Sequence, residues 1–229
     1  MRNSVSLRTV VGLSLSLALV VTAGCAGKAI NENDPASLYE GAESNIKDDQ
    51  YLIALEKLRV IRNKFPYSKY AVLAQLRIAD VYFLQESFGE AAAAYETFRD
   101  LHPKHEKVDY AMFRTAKSYY LDMPDPVARD MTPAQKAENA YNSFLTKFSM
   151  SPNAAEARKD LIDVRGKLAE KEIYIANYYF GQAKFESARG RYQKIVDAYS
   201  DTKYAEEAKQ KLEKAKKLSS EAKAKQEKN

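Results

Sequence analysis

Few residues in this chain are equipped for covalent chemistry, and they are scattered. Cys25 is the only thiol, so no internal disulfide can form. The two histidines, His102 and His105, stand three apart, with only Glu106 and Asp109 close by. A metal there would need further ligands, and two solvated loop histidines are the plainer reading. Asp122, Asp125 and Asp130 match no EF-hand spacing. There is no glycine-rich phosphate loop and no nucleophile placed beside a base, so neither an enzyme nor a cofactor is expected. What remains is a set of binding side chains: Tyr39, Glu43, Phe83, Tyr110, Phe113, Lys117 and Tyr120. Aromatic rings supply apolar area and a lysine meets negative charge. The set suits a peptide that ends in an aromatic residue and a carboxylate. The same rings could instead pack as core.

These residues form a surface only if helices bring them together, and the chain has the repeats to do so. Leu73 to Pro103 carries Ala79, Tyr82, Ala91, Tyr95, Phe98 and Pro103 at the spacing of a tetratricopeptide repeat, two antiparallel helices interlocked through small and large positions. Gly89 falls in its turn. An earlier copy places Ala42, Ala54, Leu58, Ile61 and Pro66 at the same points. A third gives Ala116 and Tyr119, then Ala137, Tyr141, Phe144 and Ser149. A fourth gives Ala176, Tyr179, Ala188, Tyr192, Ile195 and Ser200. The two small positions lie twelve residues apart in three copies and 21 apart in the third. The excess falls in Asp122 to Pro133, whose prolines cannot continue a helix and mark an inserted loop.

The expected fold is therefore all-α, a TPR superhelix of about five helix-turn-helix repeats. Residues 36–103 hold the N-terminal repeats, 104–149 the third with its loop, and 150–219 the C-terminal repeats with a capping helix over Lys203 to Leu218. Ser151 and Pro152 predict the start of one long helix running to Phe180, interrupted in pattern only by Gly166. Residues 220–229 read as a frayed tail. In such an array the first helix of each repeat lines the concave face, and the aromatic set with Lys117 falls there.

The first 24 residues read as a signal peptide. Arg2 and Arg8 precede the apolar run Val10 to Val21, followed by Thr22-Ala23-Gly24-Cys25. The run is shorter than the roughly 20 apolar residues a spanning helix needs. Cys25 after Ala-Gly resembles a bacterial lipobox, with Thr22 where Leu or Val is usual. The alternative is cleavage after Ala26 by the ordinary signal peptidase. The lipobox resemblance implies a diacylglycerol thioether at Cys25 and an acylated amino group. Residues 25–35 would then be a lipidated tether, and Ala26, rather than Asp, implies the outer membrane's periplasmic face.

Composition agrees with a helical array. Of 229 residues, 8 are Gly and 7 Pro, which disfavours a sandwich or barrel. The net charge of +5 is not gathered into a dense basic patch with interleaved aromatics, so no nucleic-acid partner is expected.

From Leu38 to Leu218 the chain resembles the BamD family of outer-membrane assembly lipoproteins. The particular phrases are Phe65-Pro66-Tyr67-Ser68-Lys69-Tyr70-Ala71, His102-Pro103 followed by Val108-Asp109-Tyr110-Ala111, Leu168-Ala169-Glu170 with Tyr178-Tyr179, and Tyr199-Ser200-Asp201-Thr202. Ser149 and Ser200 stand where the family often has Pro, and the C-terminal tail is Lys-rich. The resemblance implies a non-catalytic protein that binds the periplasmic domains of BamA through its C-terminal repeats, with Arg191 at the docking position, where an arginine can pair a carboxylate in a planar two-bond fork; the alternative for Arg191 is ordinary surface charge beside Arg189. It also implies recognition of unfolded outer-membrane proteins on the N-terminal repeats, and association with other lipoproteins of the same machine. A second reading is a TPR scaffold lipoprotein of the envelope, associated with peptidoglycan or a Tol-Pal system. Such scaffolds often begin with a coiled coil, and no sustained heptads precede Leu38.

Overall fold

The computed structural model describes residues 30–226, and the leader and Cys25 lie outside the described residues. Nine α-helices make up the described chain: α1 Pro35–Lys47, α2 Tyr51–Lys64, α3 Lys69–Leu84, α4 Phe88–Leu101, α5 Val108–Leu121, α6 Thr132–Lys147, α7 Ala154–Gly181, α8 Phe185–Ala198 and α9 Ala205–Gln226. Each helix packs on the next, and first helices also meet across repeats, α1 with α3 and α5 with α7. The result is a TPR-like superhelix of four helix pairs closed by α9.

The interlocking positions explain the packing. Ala42, Ala54, Ala79, Ala91, Ala116, Ala137, Ala176 and Ala188 are all completely buried, so paired backbones approach closely at each. The large positions of the second helices, Leu58 and Ile61, Tyr95 and Phe98, Tyr141 and Phe144, Tyr192 and Ile195, are equally buried. Burying one such side chain contributes roughly 1.5–3 kcal/mol. Because every pair hands its apolar face to the next, the core is a string of three clusters: α1 to α3, α3 to α5, and α5 to α9.

The turns inside repeats one, two and four are built alike. Asp49, Glu86 and Ala183 adopt left-handed φ values of 57°, 58° and 56°. Around each, paired backbone bonds close a Schellman motif, such as Ser87 N–H to the Tyr82 carbonyl (3.0 Å) and Glu86 N–H to that of Phe83 (3.0 Å). The turn thus falls ahead of Gly89, which sits inside α4 with open space around it.

The start of the array is capped by Asp34, whose carboxylate accepts the N–H groups of Ala36 and Ser37 at 3.1 Å, with Pro35 in the first turn. The inserted loop after α5 is anchored rather than free. Val127 and Met131 are buried in the large C-terminal cluster, and Lys171 Nζ donates to the carbonyls of Ala128 (2.9 Å) and Arg129 (2.7 Å). The long helix α7 is continuous through Gly166. It begins at Ala154, three residues after Ser151, and Ser151 Oγ accepts from Asn153 N at 3.3 Å outside the helix. Helix α9 runs on to Gln226, past Ser219.

Candidate functional site on the first-helix face

The residue that follows each small position of a first helix points its polar group along one face. These are Glu43, Asp80, Lys117 and Asn177, one per repeat. Each is held by partners from neighbouring helices. Glu43 takes a two-bond fork from Arg77 of α3, at 2.8 and 2.9 Å. Arg77 also reaches Asp80 at 3.3 Å. Asp80 Oδ1 accepts the hydroxyls of Tyr95 (2.6 Å) and Tyr110 (2.8 Å). Asn177 accepts Tyr192 Oη at 2.7 Å and Lys211 Nζ at 2.9 Å.

Repeat three differs because its position holds a cation. Lys117 Nζ reaches Glu156 (2.9 Å) and Asp160 (2.8 Å) on α7, and the buried Asp160 also accepts Tyr141 Oη at 2.7 Å. Burial alone would lower the ammonium pKa. Hydrogen bonds to Asp160 and Glu156 outweigh it and hold it above its usual value.

Among the aromatic residues expected here, Tyr39, Phe83, Tyr110 and Tyr120 are partly exposed. Tyr39 packs on Tyr70 with centroids 5.6 Å apart. The Tyr39 and Tyr110 hydroxyls are pushed up to about 12, first by burial and then by the carboxylates of Glu43 and Asp80 respectively. Tyr120 Oη donates to Asp163 at 3.0 Å. Phe113 lies elsewhere: it is 5% exposed and packs on Phe144 in the core. Lys117 lies on the expected face, but its charge is met within the chain by two carboxylates.

Arg114 completes this surface and was not among the residues picked out by spacing. Its guanidinium carbon lies 3.4 Å from the Phe83 centroid, 5.7 Å from that of Tyr110 and 6.0 Å from that of Tyr95. A signal existed. Arg114 stands four residues after Tyr110 and three before Lys117, which places all three on one helical face.

At the far end of the array, Arg191 is half-exposed and its Nη1 meets Glu172 Oε2 at 2.9 Å. Glu172, buried on α7, also receives Lys194. Burial would raise the Glu172 carboxyl, but the two cations outweigh it and hold it below its usual pKa. Arg165 ties the last repeats together. It pairs with Glu138 on α6 (2.7 Å), takes Asp201 in a fork (2.8 and 2.7 Å), and donates to the Ala198 carbonyl (2.6 Å). Among the described residues no cluster of His, Cys, Asp and Glu is arranged to hold a metal ion.

These features define a tetratricopeptide-type repeat protein whose first helices present a polar ladder edged with aromatic rings. The chain belongs to the YfiO outer membrane lipoprotein family, whose sequence profile matches residues 31–229. It is 30% identical over 210 residues to the outer membrane protein assembly factor BamD of Neisseria gonorrhoeae, covering 86% of this chain and 79% of that protein. The BamD of Vibrio cholerae is 26% identical, covering 84% of this chain and 85% of the relative. That of Caulobacter vibrioides is 25% identical, covering 88% and 68%.

Proposed function

We propose that this chain is a non-catalytic, lipid-anchored subunit of the machinery that assembles β-barrel proteins into the outer membrane, held at the periplasmic face. Membership of a family whose relatives are outer membrane protein assembly factors carries this reading. No helix among the described residues is long and apolar enough to cross a membrane. Acyl chains on Cys25 would supply the attachment, with burial contributing roughly 0.8 kcal/mol per CH₂ and two or more chains making it stable.

The first-helix face of the N-terminal repeats takes an extended segment of an unfolded barrel protein. Tyr39, Phe83, Tyr110 and Tyr120 offer rings with wet edges, a surface suited to a strand whose alternate side chains are apolar. The C-terminal repeats dock the periplasmic domains of BamA, beside other lipoproteins of the complex. Arg191 is supported for that role by its pairing. Glu172 keeps Lys194 as a partner, so Arg191 can swing to a carboxylate on another protein without stranding a buried charge.

The test is affinity purification of the mature protein from solubilised envelopes, wild type beside Arg191→Glu. Co-purification of BamA with the wild type and its loss from the variant is the expected result. Retention of BamA by both removes Arg191 from the interface. Recovery of peptidoglycan or Tol-Pal components with no BamA overturns the assembly reading in favour of an envelope scaffold.

A further inference from the structure

Consecutive helices run antiparallel, so the connections between repeats fall at one edge of the array and the turns inside repeats at the other. Residues 65–68, 102–107 and 148–153 make the first edge. Tyr39 on Tyr70 joins the starts of α1 and α3 there, and Ser151 Oγ donates to Asp109 Oδ2 (3.1 Å) at the start of α5. The connection before α9 is set back, because Asp201 meets Arg165, roughly 17 Å along α7 from Ala154. The edge carries apolar tips among lysines. Tyr67 and Met150 are 102% and 94% exposed, and Leu101 is 63% exposed. Lys64, Lys69, Lys104, Lys107 and Lys147 surround them, all exposed, and none forms an ion pair among the described residues. Lys69 and Lys147 lie over the rings of Tyr70 and Phe148, 5.3 and 5.4 Å from the centroids, which steadies them without neutralising them. The nearby acids are mostly met: Asp100 by Arg99, Glu156 by Lys117, and Asp109 by Ser151 and the Tyr110 N–H, with Glu106 exposed.

The opposite edge also has exposed apolar side chains, Leu52, Leu84 and Leu121, but its charge is reversed. Asp48, Asp49, Glu86, Asp122, Asp125 and Asp130 are exposed in its turns, against Lys47, Arg129 and Lys184. An anionic surface is therefore attracted by one edge and repelled by the other. The tether limits how far such a surface can be. Ile30 packs so closely on Gly41 that an added Cβ would stand 2.7 Å from its Cδ1, and the Asn31 N–H donates to Ser37 Oγ at 2.9 Å. The chain is thus fixed to α1 from Ile30 onward. Cys25 stands five residues earlier, a span of at most about 18 Å when fully extended. Gly41 lies about 9 Å along α1 from Pro35. Acyl chains on Cys25 would bring the first repeat against a bilayer, with the basic edge in reach of it.

From this we infer that the edge formed by the first three inter-repeat connections lies against an anionic phospholipid membrane. Tyr67, Leu101 and Met150 sit at the level of the headgroups, and the lysines over their phosphates. The helices then stand on the bilayer, and the first-helix and second-helix faces both stay open to proteins. The inference rests on the membrane-attachment reading of Cys25 and adds an orientation to it.

The chain contains no tryptophan, so one introduced residue reports its own surroundings. The full mature chain, lipidated at Cys25, is reconstituted in vesicles of phosphatidylcholine, alone or with phosphatidylglycerol. The lipids carry bromine on the acyl chains close to the headgroup. Flotation checks the anchor, and fluorescence checks the edge. With phosphatidylglycerol present, Tyr67→Trp and Met150→Trp should show blue-shifted emission and quenching. Leu52→Trp and Leu84→Trp, on the acidic edge, should show neither. Each lysine near an anionic surface changes such an equilibrium roughly fivefold, so Lys64→Gln, Lys69→Gln and Lys104→Gln together should lower the seated-to-free ratio about a hundredfold and abolish the quenching. Lys209→Gln with Lys217→Gln, on α9, should leave it unchanged. Protein that floats without quenching of Tyr67→Trp or Met150→Trp overturns the inference and leaves the anchor standing. Quenching of Leu52→Trp and Leu84→Trp instead reverses the orientation and overturns it too. A blue shift of Tyr67→Trp that grows with protein concentration before vesicles are added gives the edge to a second copy. Protein that floats with neither vesicle removes the anchor reading and this inference with it.

Discussion

Three second-helix tyrosines, Tyr95, Tyr141 and Tyr192, are completely buried and occupy the same place in successive repeats, yet their hydroxyls face different acceptors. Replacing each with Phe removes one oxygen and preserves the ring, so any stability loss reports the hydrogen bond and what it leaves behind. Tyr141 donates to the buried Asp160, which afterwards keeps only Lys117 and would be short of a partner. A bond to a charged group contributes about 1.5–3 kcal/mol, so Tyr141→Phe should cost about 2–3 kcal/mol. Tyr95 also donates to a carboxylate, but Asp80 retains Tyr110 and Arg77, so Tyr95→Phe should cost about 1.5–2 kcal/mol. Tyr192 meets the neutral, exposed Asn177, which keeps Lys211 and water, so Tyr192→Phe should cost about 0.5–1 kcal/mol. Urea unfolding followed by circular dichroism measures all three, provided the slope with denaturant is unchanged. The reasoning is refuted if Tyr192→Phe is as damaging as Tyr141→Phe. Shape alone would then govern these positions, and the charge of the acceptor would be irrelevant.

The tyrosines also set a pH limit. Burial, before any nearby charge, raises Tyr39, Tyr110, Tyr192 and Tyr199 from 10.0 to about 12 and drives Tyr95 and Tyr141 further in the same direction. The folded chain therefore holds more protons than the unfolded one above pH 10. Stability should be intact below that point and fall steeply between about pH 10 and 12, as thermal melts across that range would record. Arg165→Met removes the tie between α6 and the turn before α9, at a partly buried site. It should cost about 1–3 kcal/mol and accelerate amide exchange in α9 before other helices; uniform acceleration along the chain would contradict the local role. Ala183 bears a left-handed φ of 56° that glycine adopts freely, so Ala183→Gly should stabilise the fold by about 0.5–1 kcal/mol, read as a raised urea midpoint.

The array itself was legible because its positions are defined by one local rule repeated four times. A small residue is required wherever two backbones cross, and a large one where the gap beside them must be filled. Both kinds of position were found from spacing, and all sixteen side chains named above are completely buried. The turns were less legible for a physical reason. The Schellman geometry asks for a left-handed residue, and the chain supplies Asp49, Glu86 and Ala183 there in place of glycine, so Gly89 drew attention to the wrong position. Ser151 misled similarly, because a Ser-Pro pair can close a loop as readily as it can start a helix.

Spacing gathers Tyr110, Lys117 and Tyr120 on one helix but does not give their charge partners, and the cause lies in distance along the chain. Whether Lys117 is free depends on Glu156 and Asp160, some forty residues later and on the far side of an inserted loop. Helical spacing says which residues of α5 share a face. It says nothing about which residues of α7 will be laid against that face. One turn earlier on the same helix, Arg114 meets a different environment. Arg114 is paired by rings rather than by acids, and rings hold a cation without cancelling its charge. On this surface, then, the ion pairs of Arg77 and Lys117 brace neighbouring repeats against each other, while Arg114 is held by aromatic rings.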